Sequence, residues 1–292
     1  MNALRNSLLE LIRRTSAELP NDVVTAIRSA AEQEQPGSLA RRTLDIILQN
    51  AELARQKSQP ICQDTGTINF YVQCPLEFDM LEFEDAAKHA VRDATRKGYL
   101  RQNSVDPVTG APDPENTSPG TLVFHFDPRR TTTLEVRLLL KGGGCENVSA
   151  QYSLPDARLG ANRDLDGCRK AILDGVFQAQ GKGCSPGVIG VCIGAVRATG
   201  YALAKHQLLR NLDDTNPVPE LAALERQVVL EANRLGIGPM GFGGRTTLLG
   251  AKICAAHRLP ASFFVSISYI CWAYRRQGVR LDSNGQIIQW LY

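Results

Sequence analysis

Nine consecutive residues, 188–196, read Val-Ile-Gly-Val-Cys-Ile-Gly-Ala-Val, without one charged or amide side chain. A run of this length and composition reads as a buried strand. A buried strand must sit in a sheet that other elements cover, and this limits the folds open to the chain. Cys192, in the middle of the run, is core. Directly before the run stands Gly181-Lys182-Gly183-Cys184-Ser185-Pro186-Gly187, where a cysteine is held in a glycine–proline turn.

The rest of the chain supplies the cover. Residues 3–16 repeat apolar positions at Leu4, Leu8, Leu11 and Ile12, a helical period. After Pro20-Asn21-Asp22, which breaks the pattern and offers a cap, Val23, Val24, Ile27 and Ala30 begin a second helix. Leu39, Ile46, Ile47 and Leu53 describe a third, running to about Gln56. Residues 67–72 alternate as a strand, with Ile68, Phe70 and Val72 on one face. A helix is expected over 83–97, paired strands over 122–126 and 133–140, and a helix over 164–180. Helices over 201–210 and 219–235 follow, then strand-like segments over 247–255 and 260–270. The tail from Gln277 reads as short and ordinary. The pattern predicts a mixed α/β fold: an N-terminal helical block, about residues 1–56, followed by strands and helices around a buried sheet. No internal repeat or long linker divides the chain, so residues 1–292 read as a single domain.

The 292 residues are 43% hydrophobic and 22% charged, with a net charge of +3. That charge is small and dispersed, which argues against a nucleic-acid footprint while still suiting an anionic substrate. No stretch approaches the ~20 apolar residues of a membrane span. Residues 1–14 mix Leu with Arg and Glu and do not read as a secretory signal. Eight cysteines without export read as reduced thiols in the cytoplasm.

Chemistry concentrates in loops. In Gln59-Pro60-Ile61-Cys62-Gln63-Asp64-Thr65-Gly66-Thr67 a cysteine is followed by an amide, a carboxylate, a hydroxyl and a glycine. Pro60 pre-sets the backbone before the thiol and Gly66 frees it after. A thiolate there suits iron–sulfur or zinc chemistry, and Asp64 suits proton handling or substrate recognition; the alternative is a structural cysteine beside a turn. The long polar segment 101–120 offers Arg101, Asn103 and Asn116-Thr117 as carboxylate contacts, or as groups that satisfy the loop's own backbone. In Lys141-Gly142-Gly143-Gly144-Cys145-Glu146-Asn147, three glycines after a strand let backbone N–H groups approach an anion. The spacing is not that of a Walker loop, and Cys145 reads as a packed thiol. A second glycine-dense loop spans 236–246. Cys271 closes an apolar strand, where site residues of α/β proteins gather.

Cys62, Cys184 and Cys271 thus stand apart, each in a loop or at a strand end. No Cys-x-x-Cys pair exists, so zinc-ribbon and ferredoxin spacings are absent. Three dispersed thiolates can hold a [4Fe–4S] cluster and leave one iron open as a Lewis acid. The motifs Pro60-Ile61-Cys62-Gln63-Asp64-Thr65-Gly66, Lys141-Gly142-Gly143-Gly144, Gly183-Cys184-Ser185-Pro186, Leu235-Gly236-Ile237-Gly238-Pro239 and Cys271-Trp272-Ala273-Tyr274-Arg275-Arg276 together resemble the α subunits of iron–sulfur hydro-lyases of the tartrate dehydratase and class I fumarase type. The resemblance covers nearly the whole chain.

It implies that Cys62, Cys184 and Cys271 are the cluster ligands. Gln63 and Asp64 match substrate-site residues, Arg101 a carboxylate-binding arginine, and Gly142, Gly143 and Gly144 a backbone that meets the substrate. The Lys, Arg and Thr residues that complete the family's site, with its proposed base, belong to a β-type domain outside these residues. The resemblance therefore implies a separate β subunit, an α2β2 assembly and a small dicarboxylate substrate. One position departs: where fumarase-type members carry a histidine about twelve residues before the third cysteine, this chain has Leu259, and the nearest histidine is His257. His257 is the candidate catalytic substitute. Cys271-Trp272-Ala273 looks more like tartrate dehydratase, and Cys145-Glu146-Asn147 more like fumarase α subunits. The substrate pair is L-tartrate and oxaloacetate, or malate and fumarate. A non-catalytic iron–sulfur or zinc module that binds a partner, and an inactive paralogue, stand as alternatives.

Overall fold

A computed structural model describes residues 2–292, with only the backbone of Asn2. In chain order the elements begin α1 (Asn2–Ala17), α2 (Asn21–Gln33), α3 (Leu39–Lys57), β1 (Thr67–Pro75) and α4 (Met80–Arg96). They continue β2 (Leu122–Arg129), β3 (Leu134–Lys141), α5 (Gly143–Asn147), β4 (Ala150–Ser153), α6 (Leu165–Ala179) and β5 (Gly187–Gly194). They end α7 (Arg197–Gln207), α8 (Pro219–Arg234), β6 (Leu248–Ala256), β7 (Phe264–Ile270), β8 (Arg275–Leu281) and β9 (Ile287–Trp290). The mixed α/β class expected from the pattern holds. There are two sheets rather than one, and the chain divides into two compact units.

The first unit gathers residues up to Asn21, Gln49–Gly143 and Arg275–Tyr292. Its five strands run in the order β2-β1-β3-β8-β9. The alternation in β1 puts Ile68, Phe70 and Val72 on one face, level with Leu140, Leu138 and Val136 of β3. Two helices cover that face. From α1 come Leu8, Leu11 and Ile12. From α4 comes the stripe Phe83, Ala86, Ala87, Ala90, Val91 and Ala94, at the three- and four-residue spacing of one helix face. Asp79 caps α4 by accepting the Glu82 N–H at 2.9 Å. Phe83 meets the rings of Phe70, Phe124 and Phe126 edge-on, at centroid distances of 6.1, 6.2 and 5.9 Å.

Two expectations are corrected in this unit. The strands β2 and β3 do not pair with each other: β1 lies between them, parallel to β2 and antiparallel to β3. The link 130–133 has only two strand spacings to cross, roughly 10 Å, which a four-residue connection spans. The tail is not ordinary, since β8 and β9 extend the sheet beyond β3. The residue pattern does not mark it as a strand, because β8 carries Arg275, Arg276, Gln277 and Arg280 in place of an apolar alternation. The Arg276 guanidinium lies over the Tyr292 ring, 4.6 Å from its centroid, so aromatic stacking accommodates a charge in a buried strand.

The second unit gathers Asp22–Leu48 and Gly144–Tyr274. Its sheet runs β4-β7-β5-β6, with β5 parallel to β6 and antiparallel to β7. Every residue of β5 is buried, as the apolar run requires. Helices α6 and α8 contribute Ile172, Val176, Leu224 and Val228 to the core beside Ile189, Val191, Ile253 and Ile267. A side chain at Gly190 would collide with the Ala204 carbonyl of α7, so the glycine inside the strand marks close helix approach. The short strand β4 was not anticipated. Glu34, 4% exposed, accepts the N–H groups of Arg245 at 2.7 Å and Thr246 at 3.0 Å and so fixes the end of the second glycine-dense loop.

Replacing Phe83 by Ala removes the hub of the aromatic cluster and should cost about 3–5 kcal/mol of stability, read from the denaturant midpoint of the full chain. A loss under about 1 kcal/mol would show that this cluster does not hold the first unit together.

Candidate metal centre

The Cys62 loop belongs to the first unit, and its backbone is pinned just before the thiol. The Ile61 N–H donates to Ser16 O at 3.0 Å, and Asn50 Nδ2 donates to Ile61 O at 3.0 Å. Ile61 is buried, so Cys62 emerges half-buried from a fixed point. Asp64 then folds the chain back: its Oδ1 accepts the Gly66 N–H at 3.0 Å, an Asx turn. Gly66 has φ +80°, and a Cβ there would lie 2.5 Å from the backbone C and O of Lys141. Across the same gap, a Cβ on Gly142 would lie 2.8 Å from Asp64 Oδ2. Two glycines thus let the end of β3 press against the Asp64 carboxylate. Gly142, and more distantly Gly143, leaves room for the Asp64 carboxylate; Gly144 has open space around its Cβ position and sits in the helical turn α5.

The 101–120 segment supports this loop. Thr65, fully buried, exchanges hydrogen bonds with the Arg101 backbone at 3.3 Å and accepts from Asn103 Nδ2 at 3.0 Å. Asn116 donates to Arg101 O at 3.1 Å and accepts the Ser104 N–H at 3.2 Å. Asn103 and Asn116 therefore satisfy the loop itself. Arg101 differs: its exposed guanidinium donates to Gln63 O at 3.3 Å. The structure thus brings Gln63, Asp64, Arg101 and Gly142 together in the loop that carries Cys62, with the Arg101 guanidinium on the Gln63 carbonyl and the Asp64 carboxylate against Gly142. That set can bind and orient a carboxylate and hold or move a proton.

In the second unit the pairing Val188↔Ile270 places the start of β5 beside the end of β7. Cys184 and Cys271 therefore leave the sheet at the same end. Cys184 is half-buried in the left-handed region, φ +50°, after a 3-10 turn at Gln180–Gly183. For a residue with a Cβ this conformation costs roughly 1–2 kcal/mol, so packing must impose it. Ser185 does so, donating to Gly238 O at 2.6 Å and accepting the Met240 N–H at 2.7 Å. The Trp272 N–H donates to Cys184 O at 3.4 Å and ties the two cysteine loops together. Tyr269 lies under them, against Gly183 and Gly187, neither of which leaves room for a side chain beside its ring. Burial, and then the neighbouring thiols of Cys271, Cys145 and Cys184, hold its phenol well above the ordinary range. Neither Tyr269 nor the position of Cys145 was legible from the residue pattern, since both depend on which strand end faces which loop.

Of the remaining cysteines, Cys74, Cys168 and Cys192 are buried and Cys254 is half-buried. Burial pushes the Cys168 thiol up to about 12, and Cys74 is also buried and raised. Cys192 contacts Cys254, its register partner on β6. His257 follows β6 and opens onto a hollow of about 430 Å³ lined by Ile193, Gly194, Ala255 and Arg258. That hollow lies at the opposite end of β5 and β6 from Cys184, a strand's length of roughly 20–25 Å away. The structure does not bring His257 to Cys184 or Cys271. Leu259, in the same loop, is 70% exposed.

Among the described residues, no three His, Cys, Asp or Glu side chains close on a single metal ion. A cubane cluster asks for something else, one thiolate for each ligated iron. All eight cysteines are free thiols; Cys62 and Cys184 are half-buried in loops, and Cys271, 8% exposed, ends a strand. Free thiols of this kind fit a soft, thiolate-bound group. No helix among the described residues is long and apolar enough to cross a membrane.

A family model described as fumarate hydratase (Fumerase) matches residues 5–280. A protein of Geobacillus stearothermophilus, named for class I fumarate hydratase, is 50% identical over 296 residues, covering all of this chain and 58% of that protein. The chain thus spans little more than half the length of that relative. A Methanocaldococcus jannaschii protein named for the α subunit of L(+)-tartrate dehydratase is 31% identical, over 95% of this chain and 98% of its own length. The L(+)-tartrate dehydratase α subunit of Escherichia coli is 30% identical, over 94% of this chain and 90% of its own.

Substituting Gly66 by Ala forces a Cβ into the Lys141 backbone at an unfavourable φ, and should destabilise the chain by about 2–3 kcal/mol. Gly144→Ala, with free space and a helical conformation, should leave stability unchanged or raise it by up to ~1 kcal/mol. Equal effects of the two substitutions in urea unfolding would contradict the tight contact between the Asp64 turn and β3.

Proposed function

The chain belongs to the fumarate hydratase (Fumerase) family, and on that premise we propose that it is the α-type catalytic part of a hydro-lyase acting on a small dicarboxylate. The observation that carries this reading is the meeting of Cys62, Gln63, Asp64 and Arg101 around one loop, in a chain whose family match covers residues 5–280. In this reading Cys62, Cys184 and Cys271 hold a [4Fe–4S] cluster. Bound, the cluster supplies a Lewis-acidic iron that makes hydroxide a better leaving group.

The chain's own residues do the rest. Arg101 and Gln63 bind a substrate carboxylate, the guanidinium supplying paired N–H donors. The Gly142–Gly143 backbone, free of side chains, allows the substrate to approach Asp64. Asp64 Oδ2, left uncommitted by the Asx turn, holds or moves the proton of the hydroxyl that is lost or added. His257 is given no step, because it lies a strand's length from Cys184 and Cys271. The base that removes the proton from the adjacent carbon comes from β-type sequence, here a separate β subunit in an α2β2 assembly. The near-complete cover of relatives named as α subunits supports that arrangement.

The substrate pair is fumarate and malate, supported by the 50% identity to a protein named for fumarate hydratase. L-Tartrate, with oxaloacetate as product, is a second reading, favoured by the match to tartrate dehydratase α subunits over 90–98% of their lengths. The deciding experiment is anaerobic reconstitution of the chain with its β partner, followed by parallel assay of both diacids. Fumarate hydration should exceed tartrate dehydration, and the reverse result selects the second reading. The holoprotein should carry about four irons and four sulfides per chain, lose activity in air and regain it with Fe(II) and thiol. Cys62→Ala, Cys184→Ala and Cys271→Ala should each abolish cluster binding. Full activity in any one of them, or a single zinc in place of iron and sulfide, would overturn the proposal.

A further inference from the structure

Cys145 is a packed thiol whose surroundings give it a more specific part. It is 4% exposed, in the helical turn α5. Strand β7 pairs along one edge with β4, from Phe264↔Ser153 to Ile267↔Ala150, and there β4 ends. The next two N–H groups on that edge, of Tyr269 and Cys271, lose their strand partner while still buried. An unsatisfied buried N–H costs about as much as a lost hydrogen bond. Side chains from residues 145–149 replace the missing strand: Tyr269 N–H donates to Ser149 Oγ at 3.1 Å, and Cys271 N–H donates to Cys145 Sγ at 3.2 Å. Ser149 in turn donates to Cys145 O at 2.9 Å, so the two acceptors brace each other.

Cys271 is therefore held on both sides. Its own amide is fixed by Cys145, and the following amide, of Trp272, by Cys184 O at 3.4 Å. We propose that Cys145 is a positioning residue for the metal centre: its sulfur ends the β7 ladder and so sets the backbone from which the Cys271 thiol is presented beside Cys184. The proposal rests on the reading of Cys184 and Cys271 as cluster ligands. It assigns Cys145 no bond to metal. A ligand whose main chain is fixed keeps its metal longer, and loss of such supporting bonds typically costs 10–100-fold in affinity.

The test uses the full chain as wild type, Cys145→Ala and Cys145→Ser. Serine keeps an acceptor at this position and alanine removes it. Two quantities are read: amide hydrogen exchange at Cys271 in the metal-free chain, and the rate at which a chelator strips iron after anaerobic reconstitution. In Cys145→Ala both should rise roughly 10-fold or more, with exchange elsewhere in β5 and β7 unchanged. In Cys145→Ser both should stay near wild type. Wild-type behaviour of the alanine variant, or equal loss in alanine and serine variants, overturns the proposal. If the wild-type chain takes up no iron at all, the cluster reading itself falls, and Cys145 with it as a metal-centre residue. Hydrogen exchange then still reports whether the sulfur holds the Cys271 amide.

Discussion

The antiparallel pairing of β5 with β7 is the constraint on which the rest of the second unit depends. Once Val188 stands opposite Ile270, the loop that enters β5 and the loop that leaves β7 must emerge together, and these are the loops of Cys184 and Cys271. Nothing local to either cysteine requires this. It follows from β5 being buried along its whole length, so that it must find partners on both edges. It finds β6 and β7, and the register places the thiols. The same register sends His257 to the other end of the sheet.

The first unit reaches a comparable result by a different route. Its sheet carries β1 between β2 and β3, so the end of β3 lies beside the beginning of β1. The Asp64 turn precedes β1, and Lys141 and Gly142 end β3. Glycine at 66 and 142 lets the two backbones close to a distance no other residue allows. A carboxylate is thereby held against main chain that carries no side chain, with Arg101 brought alongside by its bonds to Thr65 and Gln63. Polar residues in this region fall into two kinds. Thr65, Asn103 and Asn116 spend their hydrogen-bonding capacity on the loop. Gln63 and Arg101 have exposed side chains that remain available to a ligand.

Sulfur plays three physical roles in the one chain. Cys168 and Cys192 are small apolar fillers; burial disfavours ionising the Cys168 thiol, and the contact with Cys254 and then burial do so at Cys192. Cys62, Cys184 and Cys271 stand where the backbone leaves a regular element and a thiolate can be presented. Cys145 is an acceptor that stands in for a strand carbonyl. Residue type alone does not separate these roles; the backbone around each does.

By itself the sequence determined the long helices and the apolar strands, though not β4, β8 or β9, and that the fold mixes both. It also determined which cysteines sit in turns and that Asp64 is flanked by groups suited to a carboxylate. These are local matters, set by apolar periodicity and by the conformations that glycine and proline permit. Tertiary structure alone decided that β1 separates β2 from β3, and that two sheets form rather than one. It drew the arginine-bearing tail into the first sheet, turned Asn103 and Asn116 inward, and set Cys145 against Cys271. Each of these depends on hydrogen bonds between segments tens to more than a hundred residues apart, and strand register is chosen by which faces can be buried together, a property no single segment carries.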